Sequence, residues 1–426
     1  MLQTTLLLVL ICLTSRMAAA APADDQFDVA AGHYSKKLWK LAAEEFEVFL
    51  EKYPDHSRVP QSIFFLAEAR LQTGATEEAE VRFREYLKRE PEGKHAVAAL
   101  FRAGETAYRL GRTAAAQTDL QRFVAEHPDD KLNAYALPYL GDLAMGDGKY
   151  EAAAAFFRDG LKRFPESPLL DDCRYGLARA QERLQQFDEA EKLYVEVASK
   201  ADSALADKAR FHLGALQFLR GQFDAALKTL QPVETELAAS PWKSKAQLTQ
   251  GWALMKLKRP DEAAARFGSA AEDPDLGVEA KYWLGLAQRE KGQWQLAAET
   301  LAAAAELDPK HPLLAAIQYY AGDSLMQAGN LDGAAVRFDS VLAMGEDENP
   351  WRDDAACGKI RVALQTRNYE SLDQEASAFH QRFPNSELRG QVDRMLARSL
   401  VEQRKFAEAT KLLEPMIAAE SDGTEA

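Results

Sequence analysis

Apolar residues recur along this chain at every fourth position in short bursts, and the bursts return at intervals near 37 residues. The clearest burst is Ala153, Phe157 and Leu161, closed by Pro165. The same frame gives Ala42, Phe46, Leu50 and Pro54, then Ala79, Phe83, Leu87 and Pro91, then Ala116, Leu120, Val124 and Pro128. The leading residue continues as Ala190, Ala226, Ala263, Ala297, Ala334, Leu372 and Ala409, at successive intervals of 37, 37, 37, 37, 36, 37, 34, 37, 38 and 37 residues. A step of four keeps side chains on one face of a helix. The proline then ends that helix, because it lacks an N–H and its predecessor avoids the α region.

A second column of small residues lies twelve positions earlier: Ala30, Ala67, Gly104, Gly141, Ala178, Gly214, Gly251, Gly285, Gly322 and Ala397. Small residues there let two helices approach closely, with neighbouring ridges filling the grooves. Between the two columns comes a turn, often glycine, at Gly74, Gly111, Gly148, Gly221, Gly292 and Gly329. Each unit therefore reads as two helices joined by a tight turn, and an internal period of this length indicates a repeat array.

The joint pattern resembles the tetratricopeptide repeat. Leu140-Gly141, Leu213-Gly214 and Leu284-Gly285 match its Leu-Gly pair, and Tyr150, Phe187, Phe223, Trp294 and Phe406 match its aromatic before the second helix. The resemblance implies an all-α, right-handed superhelical solenoid of about eleven antiparallel helix pairs over residues 21–419, and a scaffold that binds a protein segment in its concave groove. The usual period is 34. The 37-residue spacing is read as three extra residues in each link between repeats. Links of that kind resemble those of periplasmic repeat proteins associated with the Tol-Pal system and outer-membrane assembly.

Charge and cysteines narrow the picture. The formal net charge is −14, which argues against nucleic acid, whose binding rests on Lys and Arg neutralising phosphates, and equally against anionic lipid. Residues 1–20 read as a signal peptide: Thr5 to Leu13 is a short apolar run and Ala18-Ala19-Ala20 is a small-residue cleavage site before Ala21. The run is too short to span a bilayer. A periplasmic or secreted protein is expected, with no stable membrane span. Ile11 before Cys12 is not the small residue that a lipoprotein signal requires. Cys173 and Cys357 lie five repeats apart, so no disulfide is expected.

No motif for chemistry emerges. Gly221 to Thr229 lacks the spacing of a phosphate loop, and the seven histidines form no metal-binding spacing. The acidic link Gly345 to Asn349 lacks the EF-hand spacing. Neither a cofactor nor a catalytic or metal-binding residue is expected. One constellation stands out: three residues before the small site runs an aromatic column, Phe27, Phe64, Phe101, Tyr175, Phe211, Tyr282 and Tyr319. These rings either pack between successive first helices or grip an extended peptide or a sugar. One residue past the small site come Glu68, Glu105, Asp142, Arg179, Trp252, Asp323, Arg361 and Arg398, acids early and arginines late, a polarity suited to orienting a charged partner.

Three departures carry expectations of their own. Repeat ten puts Leu372 opposite Ile360, so its helices should splay, unless a longer turn brings Gly358 into the small site. Residues 199–242 lack two of the terminal prolines and are read as a softer joint. The final helix carries Leu412, Leu413, Met416 and Ile417 without a polar cap, a possible surface for self-association, and 420–426 is read as a disordered tail. The function expected is protein–protein adaptor, with envelope glycan as the alternative ligand and the partner's identity open.

Overall fold

The computed structural model describes residues 22–200, 203–235, 240–345 and 349–422. The signal segment, Asp202 and Ala238 in the expected joint, the acidic residues 346–348, and the side chains of Met416 and Ile417 lie outside what is described. Among the described residues every regular element is a helix. The chain divides within one helix into two units, Met1–Ala209 and Arg210–Ala426.

In the first unit the first helices of the repeats are α1 (22–35), α3 (Val59–Gln72), α5 (Ala96–Arg109), α7 (Asn133–Gly146) and α9 (Leu170–Arg183). Their partners are α2 (Trp39–Lys52), α4 (Thr76–Arg89), α6 (Thr113–Glu126), α8 (Tyr150–Arg163) and α10 (Phe187–Ala198). In the second unit the first helices are α11 (Ala206–Leu219), α13 (Lys243–Lys256), α15 (Gly277–Glu290), α17 (Leu314–Gln327), α19 (Arg352–Gln365) and α21 (Arg389–Glu402). Their partners are α12 (Phe223–Thr235), α14 (Pro260–Ala270), α16 (Trp294–Leu307), α18 (Leu331–Leu342), α20 (Tyr369–Arg382) and α22 (Phe406–Asp422). Among the described residues the eleven expected pairs are present, each helix packing on the next within its unit, with Phe27 of α1 on Phe46 of α2 and Gly214 of α11 against Leu230 of α12. Helix α22 continues to Asp422, beyond the expected start of the tail at residue 420.

The alanine column is the packing seam. Ala42, Ala79, Ala116, Ala153, Ala190, Ala226, Ala263, Ala297 and Ala334 are completely buried, as is Leu372, and Ala409 is nearly so. The small site of the first helix seats a large side chain four residues past the marker. A Cβ on Gly104 would stand 2.7 Å from Leu120 Cγ, one on Gly141 2.6 Å from Phe157, and one on Gly285 2.6 Å from Leu301. Glycine is the only residue that leaves room for these knobs at this helix separation.

All eleven intra-repeat turns share one conformation. The turn residue has positive φ, from 68° to 86° at the six glycines and 56° to 62° at Lys37, Gln185, Lys258, Arg367 and Arg404. The next amide then reaches back five residues, as in Ala75 N to Arg70 O, Gln186 N to Gln181 O and Arg259 N to Leu254 O, all within 2.8–2.9 Å. That bond satisfies a carbonyl left open at the end of the first helix.

The extra residues of the 37-residue period are in the second helix rather than in the link. α4 and α8 have 14 residues, and six-residue links follow them. In repeat seven, where the period falls to 34, the link 271–276 is equally long, and α14 is reduced to 11 residues. There Asp273 accepts the amides of Asp275 and Leu276, a local turn that competes with further helix.

In repeat ten the two large residues Ile360 and Leu372 are both fully buried, in one core cluster. Gly358 does not take the small site. It faces Phe338 of the preceding pair, 2.7 Å from where its Cβ would be, as Gly176 faces Phe157.

Candidate functional site

The aromatic column packs mostly inward. Phe27, Phe64, Phe101, Tyr175 and Tyr282 are at most 8% exposed. Phe27 meets Phe46 and Phe49 edge-on, Phe64 stacks on His95 at 4.4 Å, and Phe101 leans on Phe123. Of the two readings open for the column, burial supports packing at these five positions. Phe211 and Tyr319 are half-buried, stacked on Trp242 and Trp351 respectively. Burial pushes the Tyr282 and Tyr319 phenols up to about 12, so both are neutral hydroxyls with no acid–base role near neutral pH.

The charged column cross-links neighbouring first helices. Arg102 Nε on α5 donates to Glu68 Oε1 on α3 at 2.8 Å, while its Nη1 donates to Glu105 at 2.5 Å. Tyr108 Oη donates to Asp142 at 3.0 Å, joining α5 to α7. In the second unit Arg289 on α15 and Arg361 on α19 both donate to Asp323 on α17, at 2.7 and 3.2 Å. Glu68, Glu105 and Asp323 are buried, so their charges are spent inside the array. Arg398 remains exposed and pairs with Glu402 on its own helix.

Between the first helices of repeats six to nine lies a cleft of about 1060 Å³. Its floor and walls are aromatic: Phe218, Trp252, Trp283, Trp294 and Tyr320. Trp252 and Trp283 meet edge-to-face at 6.0 Å, and Phe218 lies 6.2 Å from Trp252. The cleft opens where α13 and α15 end, beside the left-handed turn residues Lys258 and Gly292. Arg289 fixes its far wall. The guanidinium lies 5.0 Å from the centre of the Tyr320 ring and 5.7 Å from that of Trp294, and it also donates to Ser324 Oγ and Tyr320 O. Lys256, Lys258 and Lys291 stand at the rim with one acid, Glu290.

Of these aromatics, the sequence points to Trp252 as a groove residue and to Trp294 only as the aromatic before a second helix. The cleft residues fall two before the small site (Trp283, Tyr320), one after it (Trp252, Leu286) and four after it (Phe218, Met255, Arg289). The aromatic column followed instead was one residue away, on the core side of the helix. The available signal was density: three of the chain's six tryptophans fall between 252 and 294.

Sites for other chemistry are not supported by the geometry. Among the described residues no group of His, Cys, Asp and Glu is placed to hold a metal ion, and no helix is long and apolar enough to cross a membrane. Cys173 and Cys357 are buried free thiols, and burial raises both above the usual thiol range.

Two tetratricopeptide repeat models match the sequence, one over residues 64–130, 101–168 and 248–312 and the other over 144–207. The chain carries tetratricopeptide repeats. Repeats of this class generally mediate protein–protein interaction. No curated protein matches the sequence. Similar solved structures include a tetratricopeptide repeat protein from Parabacteroides merdae, at 18% identity and TM-score 0.42, covering 62% of this chain and 98% of that one. Another is the anaphase-promoting-complex hetero-tetramer Cut9–Hcn1, at 13% identity and TM-score 0.37, covering 93% of each chain. A third is Naa15/Naa10 bound to HypK, at 15% identity and TM-score 0.32, covering 92% of this chain and 68% of that one. The tetratricopeptide repeats here extend beyond the matched segments, since the same turn and the same alanine seam recur from Lys37 to Ala409.

Proposed function

We propose that this protein is an extracytoplasmic scaffold that holds a protein segment against the first-helix face of its repeats. The observation that carries the reading is the aromatic cleft, where Trp252 of α13, Trp283 of α15 and Trp294 of α16 line one concavity with Phe218 and Tyr320. Large aromatic surfaces left accessible in a preformed concavity are the usual anchor points of partner recognition. The apolar run and small-residue site within residues 1–20 support export. Affinity purification of the full chain from a native envelope, followed by mass spectrometry, tests the role. A reproducible protein partner supports it, and recovery of sacculus glycan without protein would replace it with the glycan-binding reading. N-terminal sequencing of the exported chain tests the leader, with Ala21 expected as the first residue.

A further inference from the structure

We propose that the cleft between α11, α13, α15 and α17 is a specific seat for an acidic peptide segment that inserts a bulky apolar side chain among Trp252, Trp283 and Trp294. The inference rests on the scaffold reading and gives its ligand a chemistry.

The charge at the cleft opposes that of the chain. The protein has 66 Asp and Glu against 52 Lys and Arg. The cleft has Lys256, Lys258, Arg289 and Lys291 against Glu290 alone. Two of these cations are already committed, Arg289 to Asp323 and Lys291 to Asp261 at 2.6 Å. Lys256 and Lys258 are exposed and have no ion-pair partner among the described residues. They are the groups available to a carboxylate, and their position beside apolar rings makes such a pair stronger than one in open water.

The apolar part is also prepared. Phe218, Met255 and Leu286 complete the wall around the tryptophans. Arg289 is held by three acceptors, so the wall is fixed before anything binds, which lowers the ordering cost of association. The indole Nε1 of Trp252 is buried without an acceptor, so the ring contributes to the cleft through its apolar surface.

A sugar fits this lining less well. Stacking on a pyranose needs an open ring face with acceptors for hydroxyls. Trp283 stacks on Phe267, with rings 25° from parallel, and meets Trp252 edge-to-face, so little of its ring is open. Glu290 is the only carboxylate in the lining, which contains no Asn, Gln, Ser or Thr.

The test uses the full chain as bait for a random phage-displayed peptide library, with a chito-oligosaccharide as the glycan probe. Selected peptides should combine Asp or Glu with Trp, Phe or Leu. A fluorescein-labelled selected peptide should bind the Lys256→Glu/Lys258→Glu double variant at least about tenfold more weakly, and its affinity should fall with salt. Both lysines are exposed, so this variant should melt like the parent. Trp294→Ala should weaken binding by a similar factor while leaving the charge unchanged. A basic or charge-neutral consensus, unchanged affinity in both variants, or binding of the oligosaccharide alone would overturn the proposal. If no peptide is selected while envelope proteins still co-purify with the chain, this seat is wrong and the scaffold reading stands. If neither peptides nor envelope proteins are retained, both fall.

Discussion

Gly251 on α13 lies directly against the ring of Phe267 on α14, so closely that a Cβ at Gly251 would stand 2.3 Å from Phe267 Cε1. Phe267 is fully buried and has no room to retreat. Gly251→Ala should therefore overpack the pair and cost about 1–3 kcal/mol. Gly268, on the partner helix of the same pair, provides the control. A Cβ there meets nothing within 4 Å, and Gly268→Ala should stabilise by up to about 1 kcal/mol through helix propensity alone. Thermal or urea melts of the two variants should move in opposite directions. Equal shifts would mean that the glycine is not there for space.

The left-handed turn gives an independent test of the repeat frame. Gln185 takes φ 60° where six other repeats use glycine. A side chain in that region costs about 1–2 kcal/mol, and glycine returns part of the gain through its freer unfolded chain, about 0.4–1 kcal/mol. Gln185→Gly should stabilise by a few tenths to about 1 kcal/mol on these two terms. Gly148→Ala, at φ 73°, should cost a similar few tenths to about 1 kcal/mol on the same two terms. Denaturant midpoints check both.

The repeat frame was legible because its determinants are local. Ala153 and its equivalents, the small site and the terminal proline act within one helix pair, so spacing alone exposes them. The cleft was harder to see because its walls come from four first helices and the start of α16, and which of two adjacent columns faces outward depends on how those helices rotate against their neighbours. Phe101 and Trp283 illustrate the difficulty. They lie three and two residues before their small sites, and one is core while the other lines the cleft. The period was misassigned for a related reason. A length of 37 residues does not reveal whether the surplus belongs to a helix or a link. Only the shortened α14, with its link unchanged, separates the two.

Arg102 should behave as a charge-balancing keystone in the first unit. Its guanidinium serves Glu68 and Glu105, both buried. Burial holds the Glu68 pKa above the ordinary carboxylate value, against the lowering effect of Arg102. An acid whose folded pKa is raised binds more protons folded than unfolded, so its contribution to stability falls as pH rises between the unfolded and folded values. Arg102→Met removes the lowering partner and widens that window. The variant should lose about 3–5 kcal/mol at neutral pH, the cost of stranding a buried charge, and recover part of it as pH falls and Glu68 takes up a proton. Glu68→Gln leaves Arg102 paired with Glu105 and should be close to neutral or stabilising at pH 7, the difference fading in acid. Melts from neutral pH down to the acid limb check the sign. A loss in Arg102→Met that grows in acid would contradict it.

Cys173 offers a probe of opening in the first unit. Its thiol is 2% exposed, and burial pushes its pKa up to about 12. The thiolate is the reactive form, so at pH 8 the folded state holds almost none of it and shields what there is. Gly160 packs against the sulfur, its would-be Cβ 3.0 Å from Sγ, so access requires α8 and α9 to separate. Modification by a thiol reagent should therefore proceed only through opening, at a rate that rises with denaturant in step with loss of helicity. Cys357 is just as buried, in one core cluster with Ile360 and Leu372, and should likewise react only through opening of its own repeat. Cys173→Ser and Cys357→Ser single variants assign the two phases. Rapid labelling of Cys173 in buffer would show that the α8–α9 contact is much weaker than its packing implies.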